Sequence, residues 1–254
     1  MNINSQPSSK ELKEAISDLC QGLQNDGFIQ KKLYPYTNQD GEVIYWRFRS
    51  EHKDGRKTIH PLSKNGLVYQ LKEPTFVHGK PLYHLPDIFK NPNAVVLVVE
   101  GENCVDALSE LGIVATTSGS TSSASGADWT PLSGRKVTVW ADNDKAGKDY
   151  AGKVLKVLEK LNCDVSLIEV DKLSLPEKGD CVDYLELHPA ATKSDIESLP
   201  MVHHEPSQGE DWQNPENIVT ELYPVAPFEL NMLPEAFRDW IGDAALRMQC
   251  PTDF

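Results

Sequence analysis

The stretch from Ala94 to Val170 constrains the fold more than any other, because short apolar runs alternate there with helical patterns. "AVVLVVE" is followed by "CVDALSELG", "IVATTSGS" by "KVTVWADND", and "KAGKDYAGKVLKVLEKLN" by "DVSLIEV". Continuous apolar runs of this length read as strands buried on both faces. Strands alternating with helices predict an α/β unit built on a mainly parallel sheet. Ligands of such sheets gather at the carboxyl ends of the strands. Two of these runs end on acids: Glu100 after the first, and Asp142 and Asp144 after "VTVW".

Asp142 and Asp144 flank Asn143, so on an extended segment their side chains share one side. Like charges repel, and each carboxylate resists losing its water. Either a cation compensates them, or "DND" is a turn with an Asx cap for the helix that follows. Glu100 is followed by Gly101, which lets the chain turn sharply, while Glu102 suits a first-turn role against the helix dipole. A third acidic motif, "KGDCVDY", spaces Asp180 and Asp183 at i, i+3, on one face of a starting helix, with Lys178 beside them. Three acidic motifs in one α/β unit favour a divalent ion. Mg²⁺ takes one or two carboxylates together with phosphate oxygens.

The flanks read differently. "SSKELKEAISDLCQGL" has Leu12, Ile16, Leu19 and Leu23 at helical spacing behind a serine cap. "NQDG" and "HKDG" separate alternating, aromatic-rich runs, which predicts a small antiparallel sheet. Within it, alternation puts Tyr45, Arg47 and Arg49 on one face and Trp46 and Phe48 on the other, and Arg56 and Lys57 follow. "HHEPSQGEDWQNPENIVTELYPVAP" reads as a linker, and "LPEAFRDWIGDAALRMQCPTDF" as a helical pattern that stops abruptly. The expected organisation is an N-terminal α+β domain at 1–90, an α/β domain at 91–194, an acidic linker at 195–230, and the start of a further helical domain at 231–254.

Charge and cysteine usage bound the partners. The net charge of −13 is a poor advertisement for phosphate binding, but it is uneven along the chain. Residues 1–90 carry a small basic excess, whereas most of the acid lies beyond residue 90. The five cysteines are scattered without a C-x-x-C pair, which points to free thiols in a cytoplasmic setting and no structural zinc. No signal-peptide layout or membrane-length apolar run is present in the sequence.

"VVEGENCVDALSELG", the strand ending at Gly119, "VTVWADNDKAGKDYAGKVLKVL" and "KGDCVDYLE" together resemble the Toprim domain of bacterial-type DNA primases, topoisomerases and certain nucleases. The resemblance covers about residues 92–190. "YPYTNQDGEVIYWRFR…GRK…PLYHLPDIFK" is similar to the segment that precedes Toprim in phage and plasmid primases and primase–helicases. "PFELNMLPEAFRDWIGDAALRMQCPTDF" resembles the opening of a helicase-like domain. The resemblance implies a Toprim-type fold with Glu100 as acid/base and metal-site residue and Asp142 and Asp144 as chelating pair. It also implies Asp180 and Asp183 as an additional acidic group, with Gly119 bordering the site. Cys104 stands where many primases carry an acid, with Asp106 nearby but helically offset. No zinc-binding Cys/His module and no G-x-x-x-x-G-K-[ST] are found, so a fragment or truncated relative is expected.

The function expected is Mg²⁺- or Mn²⁺-dependent synthesis of RNA primers from ribonucleoside triphosphates on single-stranded DNA, with a helicase or ATPase as a further partner. Arg47, Arg49, Arg56, Lys57, Lys145 and Lys178 are the expected phosphate contacts. Two alternatives stand beside it: a Toprim nuclease using the same acids to activate water, and a non-catalytic replication or defence module binding nucleic acid or a partner.

Overall fold

The computed structural model describes residues 9–66, 68–120, 123–205 and 228–250. The chain divides into two compact units, Met1–Pro206 and Ser207–Phe254. In the first unit, α1 (Ser9–Leu19) and α2 (Gln21–Asn25) precede four strands. These are β1 (Phe28–Thr37), β2 (Val43–His52), β3 (Lys57–Asn65) and β4 (Val68–Gln70), joined in the order β1-β2-β3-β4, with every pair antiparallel. The hairpin turns are set by side chains. Asn38 accepts from the Asp40 and Glu42 amides, and Asp54 from the Arg56 amide, with Gly41 and Gly55 at φ +87° and +90°.

Both faces of this sheet are used. Trp46, Phe48 and Leu62 pack with Leu12, Ile16 and Cys20 of the helical segment. On the other face Tyr36 and Tyr45, directly opposed in register, stack with ring centroids 4.7 Å apart. These two, with Tyr34, join a core that contains Tyr83 and, from beyond residue 90, Leu97, Val99, Val105 and Trp140. The alternation expected along β2 is present, and the face carrying Tyr45 and Arg47 points into the protein.

The second sheet contains β5 (Val96–Val98), β6 (Ala115–Thr116), β7 (Lys136–Val139), β8 (Asp164–Ile168) and β9 (Met201–His203) in the order β6-β5-β7-β8-β9. The first four are mutually parallel, and β9 is antiparallel to β8. Connecting helices are α3 (Leu85–Lys90), α4 (Glu102–Glu110), α5 (Lys145–Lys160), α6 (Cys181–Leu187) and α7 (Lys193–Glu197). Val96 and Val98 face a core with Tyr150, Val154 and Leu158 of α5, while Leu97 and Val99 face the core with Cys104, Val105 and Leu108 of α4. This is the mainly parallel α/β architecture that the alternating pattern predicts.

The part of the expected linker from residue 195 to 205 is built into this unit. Thr192 and Asp195 form a reciprocal cap for α7, and the three residues of β9 extend the sheet. A strand this short, just beyond a proline, carries too little pattern to be read. The rest of the expected linker up to residue 227 lies outside the described residues. The second unit shows α8 (Glu235–Met248) after a 3₁₀ turn at Leu230–Met232. Among the described residues no helix is long and apolar enough to cross a membrane.

A buried ion pair joins the N-terminal sheet to helix α4 of the α/β layer. The Arg47 guanidinium from β2 meets the Glu102 carboxylate from α4, with side-chain exposures of 13% and 2%. The Tyr36 hydroxyl donates to the same carboxylate at 2.9 Å, and Arg47 donates to the Gly119 carbonyl at 2.7 Å. Lys32 adds a flanking pair with Asp106 at 2.9 Å and donates to Asn103 at 3.2 Å. Breaking a buried pair by removing one partner strands a charge in low dielectric, at a cost of about 3–5 kcal/mol. Arg47→Met is therefore expected to lower unfolding free energy in urea by about that amount, and Arg47→Met/Glu102→Gln to recover much of it. Equal losses in the single and double variants would contradict a charge effect.

Candidate active site

The strand ends β5 and β7 deliver the acids, and the chain around them fixes their backbones. The Thr117 hydroxyl donates to the Glu100 carbonyl at 2.8 Å and accepts from the Gly119 amide at 3.0 Å, so the end of β6 braces the end of β5. Gly119 has φ +98°, and a Cβ there would lie 2.0 Å from an Arg47 nitrogen. The loop thus closes over the ion pair only because this residue has no side chain. Tyr150, fully buried on α5, reaches the Val99 carbonyl and Ser118 hydroxyl.

Asp144 is the N-cap of α5, accepting from the Gly147 amide at 2.7 Å through Oδ1. The capping alternative for "DND" therefore describes one oxygen of Asp144. It does not describe Asp142. Gly147 packs its first helical turn onto the Asp142 backbone: a Cβ would meet the Asp142 carbonyl oxygen at 2.4 Å and its nitrogen at 2.8 Å. Asn143 faces elsewhere, donating to the Leu175 and Pro176 carbonyls at 3.0 and 3.1 Å. Its backbone pairs with Gly179 and Lys178. Asn143 thereby holds the 175–179 loop beside the "DND" motif, and that loop leads directly into Asp180.

Asp180 caps α6, accepting from the Val182 and Asp183 amides at 2.7 and 3.1 Å, while Asp183 accepts from the Asp180 amide at 2.8 Å. The i, i+3 spacing is thus a reciprocal capping box that uses Oδ1 of Asp180 and Oδ2 of Asp183.

The electrostatics show that these five acids share one environment. Burial lifts the Asp142 carboxyl to about 8, and Glu100, Asp180, Asp144 and Asp183 push it in the same direction. Burial also raises Glu100, with Asp144 and Asp180 adding to the effect and a hydrogen bond with Asp142 opposing it. Among the described residues, Glu100 Oε2 is buried with no hydrogen-bond partner. A buried carboxylate oxygen without a partner is costly.

Among the described residues, no three His, Cys, Asp or Glu side chains stand in a metal-ligating arrangement. The fit to a divalent ion lies in donor chemistry and charge: hard carboxylate oxygens, one of them buried and unpartnered among the described residues, in a group of like charges. Glu100, Asp142 and Asp144 are the residues that would hold it.

The expected basic contacts divide. Arg47 is turned inward and committed to Glu102, because β2 alternation aims it at the neighbouring sheet. Arg49 pairs with Glu51 at 2.6 Å. Arg56, near the β2–β3 turn, pairs with Asp54 at 2.8 Å, and Lys57 is exposed. Lys145 and Lys178 are exposed next to the acidic motifs in sequence. Cys104 is buried against Cys181, and Asp106 is held by Lys32, Tyr83 and His84. Three residues that shape the site were not singled out from sequence: Asn143, Gly147 and Thr117. A glycine inside the first turn of a predicted helix was the available signal for Gly147.

Residues 97–185 match the family described as Toprim-like, and this stretch is a Toprim-like domain. The chain is also similar to the crystal structure of the Aquifex aeolicus primase (zinc-binding and RNA polymerase domains), at 18% identity and a TM-score of 0.45. That similarity covers 77% of this chain and 50% of the Aquifex chain, so this chain spans about half that protein's length. No curated protein matches the sequence.

Two expectations follow from this geometry. Asp142 holds its proton in the folded state up to about pH 8, whereas unfolded it ionises near ~4. Between those values the unfolded state binds fewer protons, so this group's contribution makes stability fall as pH rises from about 4 to 8. In EDTA, the Tm of the wild type should decline from pH 6 to 8 more steeply than that of Asp142→Asn, and the variant should melt higher at pH 8. Parallel pH profiles would contradict the assignment. Gly147→Ala should displace the Asp142 backbone and lower Tm, where a helix-interior Gly→Ala change in open space would raise it.

Proposed function

We propose that this chain is a primase-type nucleotidyltransferase that joins ribonucleotides into a primer on single-stranded DNA. The observation that carries the reading is the group of half-buried, mutually repelling carboxyls at the ends of β5 and β7, with one glutamate oxygen unpartnered among the described residues. The Toprim-like match supports the acidic chemistry, and the primase-like character of the preceding sequence favours polymerisation over hydrolysis.

The residues divide the work. Glu100, with its affinity for a proton raised by burial, is suited to accept the proton of an attacking hydroxyl. Asp144 is oriented by the Gly147 amide, which fixes one oxygen and leaves the other for coordination. Asp142 stands with it on the same strand end, and Asp180 and Asp183 add negative charge at the rim while capping α6. Glu100, Asp142 and Asp144 would hold Mg²⁺ or Mn²⁺, which when bound would supply neutralisation of phosphate charge and acidification of the nucleophile. Lys145 and Lys178 flank the acids and are assigned to triphosphate oxygens. Arg49, Arg56 and Lys57 are assigned to the template strand; the Arg56–Asp54 contact is an exposed pair of little strength, and Arg49 would have to exchange its part-buried contact with Glu51. A cytoplasmic setting and a helicase or ATPase partner complete the proposal.

The test is incubation with a single-stranded DNA template, labelled ribonucleoside triphosphates and Mg²⁺ or Mn²⁺. Labelled products a few nucleotides long are expected from the wild type, with a loss of about 100-fold or more in Asp142→Asn/Asp144→Asn. Metal-dependent shortening of the template without new labelled strands would replace polymerisation by nuclease chemistry. Template binding that the double variant retains, with neither reaction in the wild type, would leave a non-catalytic module.

A further inference from the structure

Helix α5 carries Lys145, Lys148, Lys153, Lys156 and Lys160, half of the ten basic residues between positions 91 and 194. All five are exposed, whereas Gly147, Tyr150, Ala151, Val154 and Leu158 form the buried side of the same helix. Lys145, Lys153, Lys156 and Lys160 fall at i, i+8, i+11 and i+15, which is one face, and Lys148 lies on its flank. That face is about 22 Å long at 1.5 Å per residue. It begins one residue after Asp144.

Structural reasons do not account for the row. Lysines in a first turn oppose the helix dipole, and α5 has no acid in its first turn to offset Lys145 and Lys148. Lys148 meets Asp171 at 3.2 Å in an exposed pair. Among the described residues, no ion pair is found for Lys145, Lys153, Lys156 or Lys160. The opposing charges on the helix are Asp149, which lies within the face, and Glu159, which His204 engages at 2.5 Å. A row of cations running from an anionic centre, in a chain of net charge −13, complements a polyphosphate. The apolar side of α5 is packed into the core, so the helix cannot enter lipid. The exposed face holds no aromatic residue, which restricts contact to the backbone rather than the bases.

We propose that the exposed face of α5 is a track for the phosphate backbone of a nucleic-acid strand extending from the acidic site. This rests on the polymerase reading for the strand's origin but not for its binding. Contacts of this kind are independent of sequence and fall with salt by about 0.7 in logarithmic slope per phosphate neutralised on a single strand, and about 0.9 on a duplex.

The experiment measures binding of a fluorescent oligonucleotide, single-stranded and as an RNA–DNA duplex, across a salt series in EDTA. The variants are Lys153→Gln/Lys156→Gln/Lys160→Gln, the control Lys10→Gln/Lys13→Gln on α1, and Asp142→Asn/Asp144→Asn. The triple variant should bind about tenfold more weakly at 0.1 M salt, with a slope smaller by about 2. The control should bind as the wild type, and the aspartate variant no more weakly. The larger effect among the two nucleic acids identifies whether template or product occupies the track. Unchanged affinity and slope in the triple variant would overturn the track even where primers are made. An absence of primer synthesis together with the lysine effect would overturn the polymerase reading and leave the track. Wild-type binding to phosphatidylserine vesicles but to neither oligonucleotide would also overturn it.

Discussion

Mutual repulsion among half-buried carboxyls is the constraint around which the first unit is organised. Glu100 and Asp142 sit at the ends of adjacent parallel strands, and desolvation holds both toward their protonated forms. A fold selected only for stability would replace them, since the cost of leaving charge in low dielectric exceeds what a buried polar group returns. Their surroundings instead hold them in place: Thr117 on one side, Gly147 under Asp142, and Asn143 binding the loop that presents Asp180.

The N-terminal sheet contributes to the same economy from behind. Its basic residue Arg47 is spent on Glu102, two residues beyond Glu100, and the Gly119 carbonyl completes the guanidinium's contacts. One acid of the α4 start is thereby neutralised, while the adjacent strand-end acid keeps one oxygen that finds no partner among the described residues. Glu102 is fully paired and Glu100 has an unpartnered oxygen, and this contrast is what supports assigning a structural role to the first and a chemical role to the second. The same bridging contact joins the antiparallel sheet to α4 and to the loop after β6, so support of the site and cohesion of the unit share one set of residues.

The strand ends were legible because a continuous apolar run of six residues has few alternatives in a soluble chain, and the acid that closes it is conspicuous. The alternation of β2 was legible too, but its direction was not: period two says which residues share a face, not which face meets the core. Arg47 finds Glu102 55 residues away, and no local pattern encodes that pairing. The Asp180–Asp183 spacing fits both a shared helix face and a capping box, and hydrogen bonds alone identify the second. Asn143 looked like a spacer between two acids, whereas its amide fastens a loop over 30 residues downstream.

The central claim is that a divalent cation completes the carboxyl group formed by Glu100, Asp142 and Asp144. Calorimetric titration of Mn²⁺ at pH 7, in two buffers of different ionisation enthalpy, tests it most directly. With Asp142 titrating near 8, binding should release about one proton per ion, and Asp142→Asn should abolish both the release and the tight phase. Mn²⁺ binding that releases no proton and persists in Asp142→Asn, or no binding at all, would contradict the account.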